Sequence, residues 1–399
     1  MKKNKFSLLI LALLTAVSCA AYALMGGTSQ SLPIATAAAD TIESSTGNGA
    51  ETSDLFTERD LEQTADLSEA VCYTVFDGED IHISEAGVYV LTGSASDATV
   101  YVDAPDDAKV QLVLDGLTIT NRDAPCISIE NADKVFVTTS ADSALAVTGT
   151  FQADGVDGAI FSRCDLVLNG TATLEISSTD NGVAGKDDLK ITGGSYRITA
   201  ASKAIEANDS IRIAGGDFVL QAGTDGLHAE NSDDDSLGWI YIAGGTLAIN
   251  AGDDGIHATS LVEIDGGSIG VSAAEGIEGT YVRVNDGVLS IQASDDGINA
   301  AQKSSAYRAT VEINCGEITV AMGAGDTDGI DSNGDIYVNG GTISVTGNSS
   351  FDCDGTAQYN GGTILVNGQQ IDSIPNQMMG GGMRGGQKGF AGMRGGFGR

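Results

Sequence analysis

Short apolar–polar alternations separated by glycine corners run through most of this chain. Residues 242–258, IAGGTLAINAGDDGIHA, contain one complete unit. A Gly-Gly corner is followed by the alternating run Thr246, Leu247, Ala248, Ile249. Asp253-Asp254-Gly255 makes a second corner, and Gly-Ile-His-Ala follows it. The same order recurs at 215–229, 286–300 and 340–357. Second-position corner residues fall at Gly170, Gly194, Gly216, Gly245, Gly267, Gly287, Gly316, Gly341 and Gly362, at intervals of 20 to 29 residues. Period-two alternation means strands, and no helical period appears between corners. In the run before the Gly-Gly corner it turns one set of residues inward, from Leu189/Ile191 and Ile211/Ile213 to Ile336/Val338. It turns Lys190, Arg212, Tyr241, Glu263, Arg283, Glu312 and Tyr337 outward.

A unit of this size cannot close a core alone, whereas stacked units can. The expected fold is all-β: a right-handed parallel β-helix, or β-solenoid, over residues 71–372. It has about a dozen rungs of three short strands, spaced ~4.8 Å apart. Residues 87–93, 110–120 and 135–138 are strand-like by β-branched content.

Composition adds three points. Glycine is abundant (54) and proline scarce (4), so corners are made by glycine. The formal net charge of −35 repels nucleic acid and anionic membranes and attracts cations. Residues 1–23 read as a signal peptide, with Lys2, Lys3 and Lys5, an apolar stretch at 6–17 and Ala21-Tyr22-Ala23 at the cleavage position. The protein is therefore expected to be secreted or on the extracellular surface. A lipid anchor at Cys19 is the alternative ending of that leader, and it is the one route to a membrane. Residues 24–70 are expected to be a linker and N-terminal cap, and 373–399 a flexible Gly/Met/Arg tail. The five later cysteines are widely spaced and suggest neither zinc nor a disulfide framework. A monomer is expected.

The candidate chemistry lies at the corner before the Gly-Ile-x-Ala run. Stacked there are Asn181, Lys203, Asp225, Asp254, Glu275, Asp296, Asp328 and Asp354, with second acids at Asp180, Asp253 and Asp295. Like charges one rung apart repel by about 1 kcal/mol per pair even in water. Ca²⁺, which takes oxygen ligands in flexible geometry, answers that repulsion; turn propensity alone accounts for single Asp-Gly pairs. The densest local candidate is Asp326, Asp328, Asp331, Asn333 and Asp335, which has no closing Glu as an EF-hand would. A further patch holds Asp187, Asp188 and Asp209 beside Lys186 and Lys203. These lysines are the candidate bases of a uronate lyase, against a plain salt-bridged surface. His228 and His257 are rung neighbours, expected on the surface. Gln221, Asn250 and Gln292 line a flat polar strip suited to glycans. Trp239, Tyr241 and Tyr281 point outward as candidate sugar platforms. No nucleophilic triad or phosphate loop is present.

The runs GVYVLTG, VQLVLDGLTIT, ADKVFVTT (132–139), AIFSRCDLVLNG (159–170) and GKDDLKITGG (185–194) together resemble the bacterial secreted carbohydrate-binding β-helix family. That family is pectate-lyase-like in fold. The resemblance implies Ca²⁺ binding and affinity for plant polysaccharides such as cellulose and polygalacturonate, and the leading expectation is a non-catalytic binding protein. Cys164 and Ser202-Lys203-Ala204 depart from the family pattern. The two other functions compatible with the residues are a Ca²⁺-dependent pectate lyase and a structural stalk or adhesin.

Overall fold

The computed structural model describes residues 55–324 and 327–375. Its strands form a 24-stranded and a 12-stranded sheet, with neighbours paired parallel except for the last two strands, which pair antiparallel. From residue 165 the strands follow one another in three columns. The first column precedes the Gly-Gly corner and includes Asp165–Gly170, Asp188–Ile191, Ser210–Ile213 and Trp239–Ile242. The second includes Thr173–Ser178, Ser195–Ala200, Asp217–Ala222 and Thr246–Asn250. The third includes Asn181–Gly185, Ile205–Ala207, Leu227–Ala229 and Asp254–Ala258. Each strand pairs with the member of its own column one coil away, and chain neighbours pair only at the end, where Thr363–Val366 and Gln369–Ile371 form an antiparallel hairpin. That pairing makes the fold a parallel β-solenoid.

The alternation explains the register. Ile211, Ile213, Ile240, Ile242, Val262 and Ile264 are all fully buried, stacked on one another inside the first column. Burying each such side chain is worth about 1.5–3 kcal/mol. A one-residue slip would turn the whole set out to water. Register shifts occur only in the early coils, at Leu91/Gly93, Val102/Asp103 and Leu114/Asp115. There Lys109–Asn121 runs continuously and pairs with two successive strands, Lys134–Ala141 and Ser143–Val147.

Glycine corners are needed where coils touch. Gly267 has φ +96°, and a Cβ there would lie 2.9 Å from the Gly245 carbonyl oxygen. The residue two places ahead of that corner glycine builds a ladder. Asn360 Nδ2 donates to Asn339 (2.7 Å), Asn339 to Asn314 (2.8 Å), Asn314 to Asn285 (2.8 Å), and Asn285 to the Asp265 carboxylate (2.6 Å).

Residues 55–63 lie as a strap across the outer face of the first column. Asp60 is fully buried, with its carboxylate 2.9 Å from Lys190 Nζ and 3.4 Å from Lys134 Nζ. Arg59 bonds Gln111 and lies over the Phe136 ring. Gln63 accepts from the Gly170 amide and donates to the Thr192 carbonyl. Leu55 and Phe56 form a small apolar cluster with Tyr241, Trp239 packing against it. The leader, Cys19, residues 24–54, Asp326 and the tail from 376 lie outside the described residues.

Candidate functional site: an acidic stripe on the third column

The third column carries its polar residues on one outer line. Ala184, Glu206, His228, His257, Glu278, Asn299, Asp331 and Asp352 stand in direct register. The acidic corner runs beside this line, so each coil presents a corner oxygen and a strand side chain together. Along the stripe the negative charge is answered in two ways and then left unanswered.

At the N-terminal end, lysines answer it. Lys186 Nζ lies 3.1 Å from Asp157 and 3.4 Å from Glu206. Lys203 lies 3.0 Å from Glu206. Burial alone would raise Glu206, but the two ammonium groups outweigh it and hold the carboxyl below its usual range.

In the middle, histidines answer it. His228 Nδ1 lies 2.8 Å from Asp225, and His257 Nδ1 lies 2.5 Å from Asp254 and 3.0 Å from Glu278. The two rings stack with centroids 4.6 Å apart. Both histidines are buried, not on the surface as their outward parity predicts, because neighbouring rungs and the Lys303 loop cover them. Burial opposes a charged His257, but its carboxylate partners outweigh that and lift it to about 9. Lys303 reaches Glu278 at 2.6 Å. Asp254, His257 and Glu278 are a donor set within metal-binding reach, yet imidazolium and ammonium already balance its two carboxylates.

Beyond Glu278 the pattern stops. Among the described residues no ion pair reaches Glu275, Asp296, Asp328, Asp331 or Asp352. Burial first, then the charges of Asp296, Asp328 and Asp352, push Asp331 up to about 7. Burial, with Glu278, Asp254 and Asp296, also lifts Glu275 to about 7 despite a hydrogen bond from Asn299. Four oxygens in this zone have no hydrogen-bond partner: Asn299 Oδ1, Thr327 Oγ1, Asp328 Oδ1 and Ser349 Oγ. A buried polar atom left unsatisfied costs about 1–3 kcal/mol, and these four oxygens keep lone pairs that no protein group takes up.

Other sequence-assigned residues are distributed differently. Asp225 and Asp254 are buried in the histidine zone, whereas Asp253 and Asp295 are exposed at the rim. Asp180 sits near Glu206, whose charge adds to burial in raising it. The run Asp328–Asp335 does not close into one loop. Asp328 and Asp331 belong to the third column, Asn333 is exposed in the turn, and Asp335 opens the next first-column strand. There Asp335 is held by Arg308 at 3.0 Å and by the Thr356 amide. Asp187 and Asp209 face a separate corner beside Asp165. Burial, then Asp165, lifts Asp187 to about 6. Asp209 is bonded by Asn231, and Asp188 is taken by Arg212 and Ser210.

The glycan strip is an open surface. Gln221, Asn250 and Gln292 are exposed on the second column in one registered line with Thr199 and Ser272, and Asn250 donates to Gln221 at 3.0 Å. The aromatic platforms are not open. Tyr241 is 3 % exposed under Phe56 and bonds Asp265. Trp239 is sandwiched between the Arg212 guanidinium and the strap. Tyr281 is half-buried, bonded to Glu312 and stacked on Arg283. For Trp239 and Tyr241 the strap is the cause, and it has no periodic signal; for Tyr281 the cover comes from Glu312, Arg283 and Tyr307. The Asn ladder was also missed, though Asn or Asp recurs two places ahead of Gly267, Gly287, Gly316, Gly341 and Gly362.

These features define a β-solenoid with polar faces of the kind that binds sugars. A family model described as "Carbohydrate-binding domain-containing protein" matches residues 77–281 and 277–373, and the chain belongs to that family. A carbohydrate-binding domain-containing protein of Acetivibrio thermocellus is 32% identical over 129 residues, covering 30% of this chain and 45% of that one. The chain thus spans less than half the length of this relative. A solved polysaccharide lyase-like protein from C. thermocellum, a gadolinium derivative, aligns at TM-score 0.50 with 29% identity, over 56% of this chain and 96% of that one.

Proposed function

We propose that this is a non-catalytic polysaccharide-binding protein, stabilised by Ca²⁺, secreted or attached to the extracellular surface. The unanswered end of the acidic stripe carries this reading. Glu275, Asp296, Asp328, Asp331 and Asp352, with the Asn299, Thr327 and Ser349 oxygens, are hard donors of the type Ca²⁺ takes. Ca²⁺ held there supplies the positive charge that lets so acidic a surface receive an anionic glycan. Gln221, Asn250 and Gln292 supply a flat hydrogen-bonding strip for neutral sugars. Gadolinium, present in the related solved protein, is likewise a hard cation. The architecture we infer is a right-handed β-helix of about a dozen coils with three strands each, which the 12-stranded sheet supports. Export rests on residues 1–23, with Cys19 as the alternative anchor, and the protein acts as a monomer.

Affinity electrophoresis through cellulose and polygalacturonate tests the reading. Retardation is expected with Ca²⁺ and is reduced by chelator for polygalacturonate. No retardation in either gel with Ca²⁺ present sinks it. The likeness to a polysaccharide lyase-like protein raises a second reading, lyase action with Lys186 or Lys203 as base. Lys186 is engaged by Asp157 and Glu206, and Lys203 by Glu206, so each ammonium is turned to a carboxylate of the stripe and not to an open substrate face. Unsaturated-product absorbance that is lost in Lys186→Ala or Lys203→Ala would reverse that conclusion.

A further inference from the structure

We propose that the first-column surface beneath residues 55–63 is a second, Ca²⁺-independent glycan site, specific for a uronate carboxylate, and that the strap occupies it as an intramolecular stand-in. The inference rests on the polysaccharide reading above but not on its cation.

The strap presents the chemistry of an acidic oligosaccharide. Its Asp60 carboxylate sits between two ammonium groups, 2.9 Å from Lys190 and 3.4 Å from Lys134. Both lysines are largely buried, and Asp60 is the one ion-pair partner of Lys190 among the described residues. On either side of that carboxylate, flat groups of the strap cover aromatic rings. The Arg59 guanidinium lies 4.8 Å from the Phe136 centroid, and the Phe56 ring lies 6.3 Å from that of Tyr241. The Asn169 amide and Thr192 hydroxyl donate to strap carbonyls, and such donors serve sugar hydroxyls equally well. A carboxylate between cations, flanked by stacked faces and met by neutral donors, is the pattern a uronate chain requires. In a protein of net charge −35, a buried cationic fork is the exception that calls for an anionic occupant. Asp60 is the one carboxylate that spans both lysines among the described residues. Asp165 shares Lys134 at 3.6 Å, and Asp188 already holds Arg212.

The strap is part of the same chain, so its effective concentration at the fork is high. A free uronate must displace it, and the resting protein masks the site. The test uses the full chain in excess chelator, which silences the Ca²⁺-dependent mode. The double variant Phe56→Ala, Asp60→Asn loosens the strap, and trigalacturonate is titrated by calorimetry. Binding at least ten-fold tighter than wild type is expected, with no such gain for cellotriose. Adding Lys190→Met should return affinity to the wild-type level. No gain in a variant with the wild-type circular dichroism spectrum, a gain that survives Lys190→Met, or an equal gain for cellotriose overturns the proposal.

A second measurement uses wild-type protein and avoids any folding defect. Trp239 is the single tryptophan and packs against the strap cluster. Saturating trigalacturonate in chelator should shift its emission and speed tryptic cleavage after Arg59. Neither change occurring overturns the proposal. Retardation of wild type in Ca²⁺ gels alongside these failures leaves the main function standing.

Discussion

Replacing Asp331 with Asn removes one acid from the zone where no basic side chain answers it. Its carboxyl is raised from an ordinary 3.8 to about 7 by burial and by Asp296, Asp328 and Asp352. The folded protein therefore holds this proton over a range where the unfolded chain has released it. Stability that is present at low pH is lost as pH rises from about 4 towards 7. A gap of about 3 pKa units corresponds to ~4 kcal/mol at 1.36 kcal/mol each. Screening at this partly exposed site reduces that to roughly 2 kcal/mol. In chelator at pH 8, Asp331→Asn should therefore be more stable than wild type by roughly 2 kcal/mol, read from urea unfolding followed by circular dichroism. At pH 4.5 the gap should close. Saturating Ca²⁺ should reverse the order, because wild type keeps a ligand that the variant lacks, and occupancy at 100 times Kd adds about 2.7 kcal/mol. A variant less stable than wild type in chelator at pH 8, or a gap insensitive to pH, would refute the reasoning.

Other outcomes follow from single contacts. His257 is lifted to about 9 by Asp254 and Glu278 against the pull of burial. Its contribution is complete below the unfolded value of about 6.5 and declines as pH rises through 9; urea midpoints of His257→Asn should lack that decline. Asn314→Ala removes the 2.8 Å acceptor of Asn339, leaving it the longer contact to Glu312, and takes the donor from Asn285. A loss of about 1–3 kcal/mol is expected, and an unchanged midpoint would show the ladder to be incidental. Gly267→Ala forces a Cβ to within 2.9 Å of the Gly245 carbonyl at φ +96°. It should cost about 1–3 kcal/mol, checked by the same unfolding curves.

The solenoid was legible because its cause is periodic. Ile211, Ile240 and Val262 repeat at one position of each coil, and glycine marks every turn, so alternation alone assigns inside and outside. The acidic stripe was legible for the same reason: Asp225, Asp254, Glu275, Asp296 and Asp328 recur at one corner. What alternation cannot show is what covers an outward residue. Tyr241 and Trp239 point outward as expected but are covered by Phe56. Asp60 meets Lys190 across 130 positions of sequence, a contact without local signature. At 328–335 the local spacing of acids did not show that the strand period separates them. Asp331 and Asp335 are four residues apart, but a corner between them sends them to different faces. The histidines were placed on the right line, yet their burial depends on neighbouring rungs and on the Lys303 loop.

The strap changes how the molecule comes apart. In a plain solenoid each coil contacts only the coils beside it, so stability is a chain of nearest-neighbour terms and unfolding can begin at any weak coil. Residues 55–63 bridge positions from Gln111 to Tyr241, joining coils that otherwise share nothing directly. Those coils become one cooperative block, in which opening any member strains the single peptide tied to all of them. Beyond that block, Ser304 and Ser305 reach back to Asp235 and tie the coils between them in the same way, so the coils free to open one after another from the far end are those after Ser305. Amide exchange should accordingly divide the protein near that residue, with uniform protection before it and graded protection after it.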